Sequence, residues 1–246
     1  MQGLCLWGGD PLKCNTALVL GLAGCYNPPD LPLLDEIPVS APSAQCAPPV
    51  DVDIGCVLDG DTFDFGGCGD SQGERVRMLG VDAPEIAHSD DEVAECFGEE
   101  SHAELNRILS GRRVRLTFDQ TCEDIYERTL AYVWLVGNEA DDLLADSEVV
   151  DLLEERDADG DEPALLVNEY MIAFGFAALY GDDADEYSGD IIYGTRLQVA
   201  ESRASLYKRG LWAACNGETN APPPAAAGML PGPRPVPKGS PLVEIP

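Results

Sequence analysis

Three separated segments hold residue types that handle metal ions and phosphates: DGDT at 59–62, RMLGVDAPE at 77–85 and DIYER at 124–128. Aspartate carboxylates are hard oxygen donors suited to a divalent cation. The planar fork of an arginine matches two phosphate oxygens at once, which a lysine does not reproduce. His88 and His102 are the only histidines, so a carboxylate is the natural candidate for a base acting on water. Splitting a phosphodiester builds negative charge in the transition state, and a cation together with guanidiniums would offset that charge. Each residue also has a structural reading. Asp59 and Asp61 can cap a turn, Arg77 and Glu85 can form a salt bridge, Arg128 can be a solvated strand residue, and Asp82-Ala83-Pro84 can be a plain pre-proline bend.

The elements around these residues switch from period 2 to period 3.6. VLDGDTFDF and ERVRMLGV read as strands separated by the turn GGCGDSQG, RRVRLTF alternates strictly, and YERTLAYVWLVG reads as a further strand. FGEESHAELNRILSG predicts a helix that stops at Gly111, and LLVNEYMIAFGFAALY and TRLQVAESRASLYKRG predict two more. The expected order is βββ-α-ββ-α-α, a mainly β fold with helices. It suits a five-stranded Greek-key barrel of the OB type with three helices. Trp134 and Trp212 read as core, His88 as a loop residue and His102 as a helix-surface residue.

The net charge is -30 over 246 residues. So acidic a chain repels polyanions at long range, and local cations must meet any polyanionic substrate. Arg75, Arg77, Arg113, Arg115 and Arg128 fall in the barrel strands, which predicts a locally positive face and slower substrate capture than a basic relative would show. The acids concentrate in GDDADEYSGD (181–190) and in an insertion at 139–163, where twelve acids face one arginine. DADGD within the insertion resembles the start of a calcium loop, but the register puts Leu166 where the bidentate glutamate belongs, so the segment reads as a plain acidic loop.

Residues 1–24 read as a lipoprotein signal peptide. TALVLGLAGC has the length of a leader's apolar region and contains Leu22-Ala23-Gly24-Cys25, a lipobox that would lipidate Cys25. Residues 25–51 form a proline-rich tether, 52–216 the patterned domain, and 217–246 a proline-rich tail expected to be disordered. The expected location is outside the cytoplasm on a membrane anchor, at a periplasmic face or the cell surface, with free secretion as the alternative. Of nine cysteines, Cys5 and Cys14 would leave with the leader and Cys25 would carry lipid. The remaining even set favours disulfides over a zinc site. Pairing neighbours across turns predicts Cys56–Cys68 and Cys96–Cys122, leaving Cys46–Cys215.

The ordered set DGDT, R-x-x-x-x-D-x-P-E after a hairpin and Y-x-R in the next strand pair resembles the staphylococcal-nuclease (thermonuclease) family, as do ECFGEE, LAYV and VNE. The resemblance covers most of 56–213 apart from the acidic insertion. It implies an OB-fold nuclease that uses Ca²⁺ to hydrolyse DNA, RNA or both, with the 5′-oxygen as leaving group and 3′-phosphate ends. By resemblance, Asp61 and Asp82 are carboxylate ligands of the cation and Ala83 gives its backbone carbonyl, where the best-known member has threonine. Glu85 positions or deprotonates the attacking water, and Arg77 and Arg128 grip the phosphate. Asp59 is a nearby supporting acid and Tyr126 borders the nucleotide pocket. Val167-Asn168-Glu169 stabilises a helix start. No protein partner is expected and the chain reads as monomeric. The alternative is an OB module that holds nucleic acid or oligosaccharide without cutting. A third reading, a calcium-binding surface protein, leaves Arg77 and Arg128 unexplained.

Overall fold

The computed structural model describes residues 45–69, 73–89, 91–145, 149, 155–156, 163–181 and 191–221. The leader with Cys25, most of the tether, most of the acidic insertion including DADGD, and the tail from 222 lie outside the described residues. Strands are β1 (Val50–Val57), β2 (Thr62–Phe65), β3 (Glu74–Met78), β4 (Val81–Asp82), β5 (Arg113–Thr117), β6 (Thr129–Val136), β7 (Glu155–Arg156), β8 (Pro163–Leu166) and β9 (Ala178–Leu179). Helices are α1 (Gly98–Leu109), α2 (Asp141–Leu144), α3 (Val167–Ala173), α4 (Gly194–Tyr207) and α5 (Leu211–Ala214).

Antiparallel pairing runs β3-β2-β1-β5-β6, and β6 then pairs with β3 in parallel, closing a five-stranded barrel. The closure sets Val76 beside Thr129 and Arg77 beside Leu130, so the strand bearing one candidate arginine lies against the strand that Arg128 enters. Period-2 alternation sends Val114 and Leu116 inward while Arg113 and Arg115 face Asp53 and Asp51 across β1. β6 is buried along almost its whole length, because α3 covers the face that turns away from the barrel interior. The helical face Leu105, Ile108 and Leu109 of α1 is likewise fully buried in the core.

Four sequence expectations are corrected. VLDGDTFDF is not one strand: β1 ends at Val57 and β2 starts at Thr62, with Leu58 and Asp59 both donating backbone N–H to the Thr62 carbonyl. Asp59 caps the intervening turn by accepting the Asp61 N–H at 3.0 Å. Gly60 fits there because a Cβ would come within 2.5 Å of the Ala83 Cβ and 2.8 Å of the Ser101 Cβ. ERVRMLGV breaks at Gly80, whose φ of 72° is open to glycine at little cost, so that β4 departs from β3. LLVNEYMIAFGFAALY is a helix only over α3; its ends are the strands β8 and β9, and Gly175 at φ 76° turns the chain between α3 and β9. The extra helices α2 and α5 are single turns.

The disulfides are Cys46–Cys122, Cys56–Cys68 and Cys96–Cys215. The Cys56–Cys68 pairing forms, whereas the other two exchange partners relative to expectation. Antiparallel β1 and β5 place the residues preceding β1 beside those following β5, and the Cys46 N–H donates to the Asp119 carbonyl at 2.8 Å. Helix α1 meanwhile carries the chain away from Cys96, which α5 reaches from the other end of the domain.

Asn168 at the start of α3 joins these parts. Its side-chain oxygen accepts the Val133 N–H at 2.8 Å, and its amide donates to the carbonyls of Leu79 at 2.9 Å and Ala131 at 3.4 Å. It therefore ties β6 to the turn between β3 and β4. Beside it, buried Glu169 and Arg196 form a two-armed ion pair that fixes α3 against α4. Replacing Asn168 with Ala strands buried backbone groups, and the expected loss is roughly 2–4 kcal/mol of unfolding free energy. Urea denaturation checks this; a loss below about 0.5 kcal/mol would contradict the role assigned to Asn168.

Candidate active site

Asp61 closes the β1–β2 turn with only 4% of its surface exposed. One carboxylate oxygen accepts the Thr62 hydroxyl at 2.9 Å, while the other accepts the Ala83 N–H at 2.9 Å and faces the Arg77 guanidinium at 2.9 Å. Arg77 sits directly across from Thr62 in the β2–β3 pairing, which fixes that approach. The same guanidinium donates to the Val81 carbonyl and lies 3.8 Å from a carboxylate oxygen of Asp82 on β4. Two aspartates from different hairpins thus converge on one positive charge.

Glu85 follows on the loop after β4. Its carboxylate, that of Asp59 and an imidazole nitrogen of His88 lie within 4.8 Å of one another, with His88 3.6 Å from Glu85. The Glu85 N–H donates to the Glu95 carboxylate, and the Glu95 N–H returns to the Glu85 carbonyl, both at 2.8 Å. This exchange pins the backbone of the candidate base.

Arg128 is held by Asp124, which accepts its Nε–H at 2.6 Å, its backbone N–H at 2.9 Å and the Tyr126 N–H at 2.8 Å. Glu127 between them takes φ 62°, so a tight turn rather than a strand aims Arg128. Arg77 and Arg128 line one hollow of about 130 Å³ together with Tyr180, which also stacks 5.6 Å from the Arg77 guanidinium. Asp82, Ala83 and Glu85 line an adjoining cleft of about 640 Å³, and Tyr180 is a wall of both. Tyr126 stands at the rim, 72% exposed and stacked 5.4 Å from the Arg128 guanidinium, outside the lining of that hollow.

Burial pushes the Asp61 carboxyl up to about 8, against the opposing pull of Arg77. Burial, and then the charge of Asp59, also raises Glu85. Burial acts upward on Asp124 too, but the hydrogen bonds from Arg128 and Tyr126 outweigh it and hold that carboxyl below the usual range. The donor set of two aspartate carboxylates beside backbone carbonyls is all hard oxygen, and it fits a divalent cation of the Ca²⁺ or Mg²⁺ type better than a softer metal.

Sequence reading missed three contributors. Tyr180 reaches the site because β9 pairs with β4, Val81 opposite Leu179, a contact across about a hundred residues with no local signal. Asp124 did carry one, an aspartate opening a turn that ends in arginine. Thr219, whose hydroxyl donates to Asp82 at 2.9 Å, lies in the segment assigned to the tail. The expected positive face is also altered: all five arginines expected on strands face carboxylates, Arg75 with Asp64, Arg77 with Asp61, Arg113 with Asp53, Arg115 with Asp51 and Arg128, on its turn, with Asp124.

With this geometry in place, the comparisons with known proteins agree. The model of the family described as "Staphylococcal nuclease homologue" matches residues 75–214, more than half of the chain. The chain belongs to this family. A thermonuclease of Staphylococcus hyicus is 30% identical over 156 residues, covering 63% of the chain and 72% of that protein. A thermonuclease of Staphylococcus intermedius is 43% identical over 79 residues, 32% of the chain but 45% of that protein. An uncharacterized protein of Bacillus anthracis is 38% identical over 92 residues, 37% of the chain and 42% of that protein. The chain thus spans less than half the length of two of these relatives.

The raised Asp61 carboxyl sets the sign of a pH effect. Without a cation the folded protein keeps this proton up to about pH 8, although the unfolded chain releases it near 3.8, so the group costs stability as pH rises through that window. A cation needs the ionised form and displaces the proton. If Asp61 is a cation ligand, any gain in melting temperature from added Ca²⁺ should therefore grow as pH rises toward about 8 and then level off. In Asp61→Asn the slope should vanish; an unchanged slope in that variant would contradict the assignment.

Proposed function

We propose that this chain is a Ca²⁺-dependent nuclease that hydrolyses phosphodiester bonds of DNA, RNA or both. The observation that carries the reading is the shared guanidinium of Arg77. It brings Asp61 and Asp82 to one point, while the hollow it lines also receives Arg128 and the adjoining cleft receives Glu85. The relatives named thermonuclease support the same activity.

Asp61 and Asp82, with the Ala83 carbonyl as a third candidate donor, would hold the cation. When bound, it would neutralise charge on the scissile phosphate and orient it. The chain's own residues do the rest. Glu85, raised by burial and by Asp59, is a stronger base than an ordinary carboxylate and would take a proton from water. The hydroxide so formed attacks phosphorus, the bond to the 5′-oxygen breaks, and that oxygen takes a proton from solvent. Arg77 and Arg128 donate to the phosphate oxygens as charge accumulates, leaving carboxylate partners that already hold them in the right hollow. Tyr180 and the rim residue Tyr126 offer ring faces beside the phosphate position, suited to a nucleotide base or sugar.

The compartment belongs to the same proposal. Three disulfides among the described residues support folding in an oxidising compartment, and the lipobox motif supports an anchor on Cys25 at a periplasmic or outer surface. Because the strand arginines are already paired, substrate capture relies on the cation and on local rearrangement more than on long-range steering.

Cutting of single- and double-stranded DNA and of RNA, assayed with Ca²⁺ and with EGTA, tests the activity. Cleavage should require Ca²⁺, and Asp61→Asn and Arg128→Ala should each lower kcat by roughly 10²–10³-fold. Equal cutting by the parent and Asp61→Asn would remove the mechanism.

A further inference from the structure

We propose that Thr219 is a positioning residue for Asp82, and that a segment clipped at both ends to Cys96 delivers it. The inference rests on the reading of Asp82 as a cation ligand and assigns a role to residues that the family motifs do not contain.

The residues from the end of α5 to Ala221 stay against the domain. Cys215 is bridged to Cys96 by a disulfide, and the Cys96 N–H donates to the Ala221 carbonyl at 2.7 Å. One residue therefore grips both ends of the segment 215–221. Between the grips the backbone turns through Asn216 at φ 58° and Gly217 at φ 85°, and a Cβ on Gly217 would strike the Trp212 ring at 2.2 Å. Cys96, Leu211, Cys215 and Ala221 form a small apolar cluster of their own beneath the loop, with Trp212 packed on it. Residues 217–220 thereby become one wall of the cleft that Asp82, Ala83 and Glu85 line.

Thr219 uses this position. Its hydroxyl donates to one carboxylate oxygen of Asp82 at 2.9 Å, while the other oxygen lies on the Arg77 side at 3.8 Å. A neutral donor on the outer oxygen restrains the carboxylate's rotation without competing for its charge. The side chain is then ordered before a cation arrives, and less freedom is lost on binding. A threonine is suited to this, since its branched Cβ restricts χ1 and its hydroxyl rotates to the acceptor. The clip acts on the base as well. Cys96 is preceded by Glu95, the residue that exchanges hydrogen bonds with the backbone of Glu85. One disulfide-held corner thus borders both the cation ligand and the proton acceptor.

The test is Ca²⁺ binding to the full chain by isothermal titration calorimetry, without nucleic acid, at pH 8. The site is defined as the component of the isotherm that Asp61→Asn removes. Thr219→Val should weaken that component by roughly 10-fold or more, and Thr219→Ser should restore it to near the parent value. The melting temperature in EGTA should stay near that of the parent in both variants. A structural role alone would give the reverse: Thr219→Val would lower the EGTA melting temperature and leave the affinity within about twofold, which overturns the proposal while the cation site stands. If Asp61→Asn removes no component, the cation-site reading fails and takes the Thr219 proposal with it.

Discussion

A carboxylate as buried as Asp61 is tolerable only if hydrogen bonds and positive charge compensate for the water it has lost. Asp61 has the Thr62 hydroxyl, the Ala83 N–H and the Arg77 guanidinium, and each comes from a different part of the fold. Meeting that one requirement brings the β1–β2 turn, β3 and the exit from β4 to a single point. The compensation is incomplete, since burial still holds the proton on Asp61 well above the ordinary carboxylate range. A cation bound at this point would supply the charge that the protein alone leaves short, and it would have to displace the proton to do so.

The barrel around this point limits how the other groups can arrive. Parallel closure of β6 onto β3 puts the turn carrying Arg128 beside Arg77, and pairing of β9 with β4 puts Tyr180 beside both. Asn168 secures the β3–β4 turn to β6 from behind. The arrangement explains how a chain with a net charge of -30 can present guanidiniums to a phosphate. Arg75, Arg77 and Arg128 each face an aspartate side chain that holds the guanidinium in place at rest, so a phosphate has to compete for it.

Much of this was legible in the sequence, and what was missed has a common cause. Strand alternation in RRVRLTF and the apolar face of FGEESHAELNRILSG depend on neighbours within a few residues, and they carried the barrel. The ordered acid and arginine motifs named side chains that the fold brings near one another. The hairpin inside VLDGDTFDF was hidden because its alternation imitates a strand, while the constraint on Gly60 comes from Ala83 and Ser101. The helix expected over LLVNEYMIAFGFAALY lost both ends to β6 and β4, whose pairing outweighed local propensity. Disulfide partners, the carboxylates facing the strand arginines and the approach of Thr219 to Asp82 all depend on register or on contacts across most of the domain.

The central claim is spatial: one cation and one phosphate meet the five residues Asp61, Asp82, Glu85, Arg77 and Arg128 on a single face of the barrel. A crystal structure of the chain grown with Ca²⁺ and a nucleoside bisphosphate tests it most directly. The expected map has the ion bound by Asp61 and Asp82, with Arg77 and Arg128 donating to a phosphate beside Glu85. An ion bound elsewhere, with Arg77 still between the two aspartates and the phosphate remote from Arg128, would contradict it.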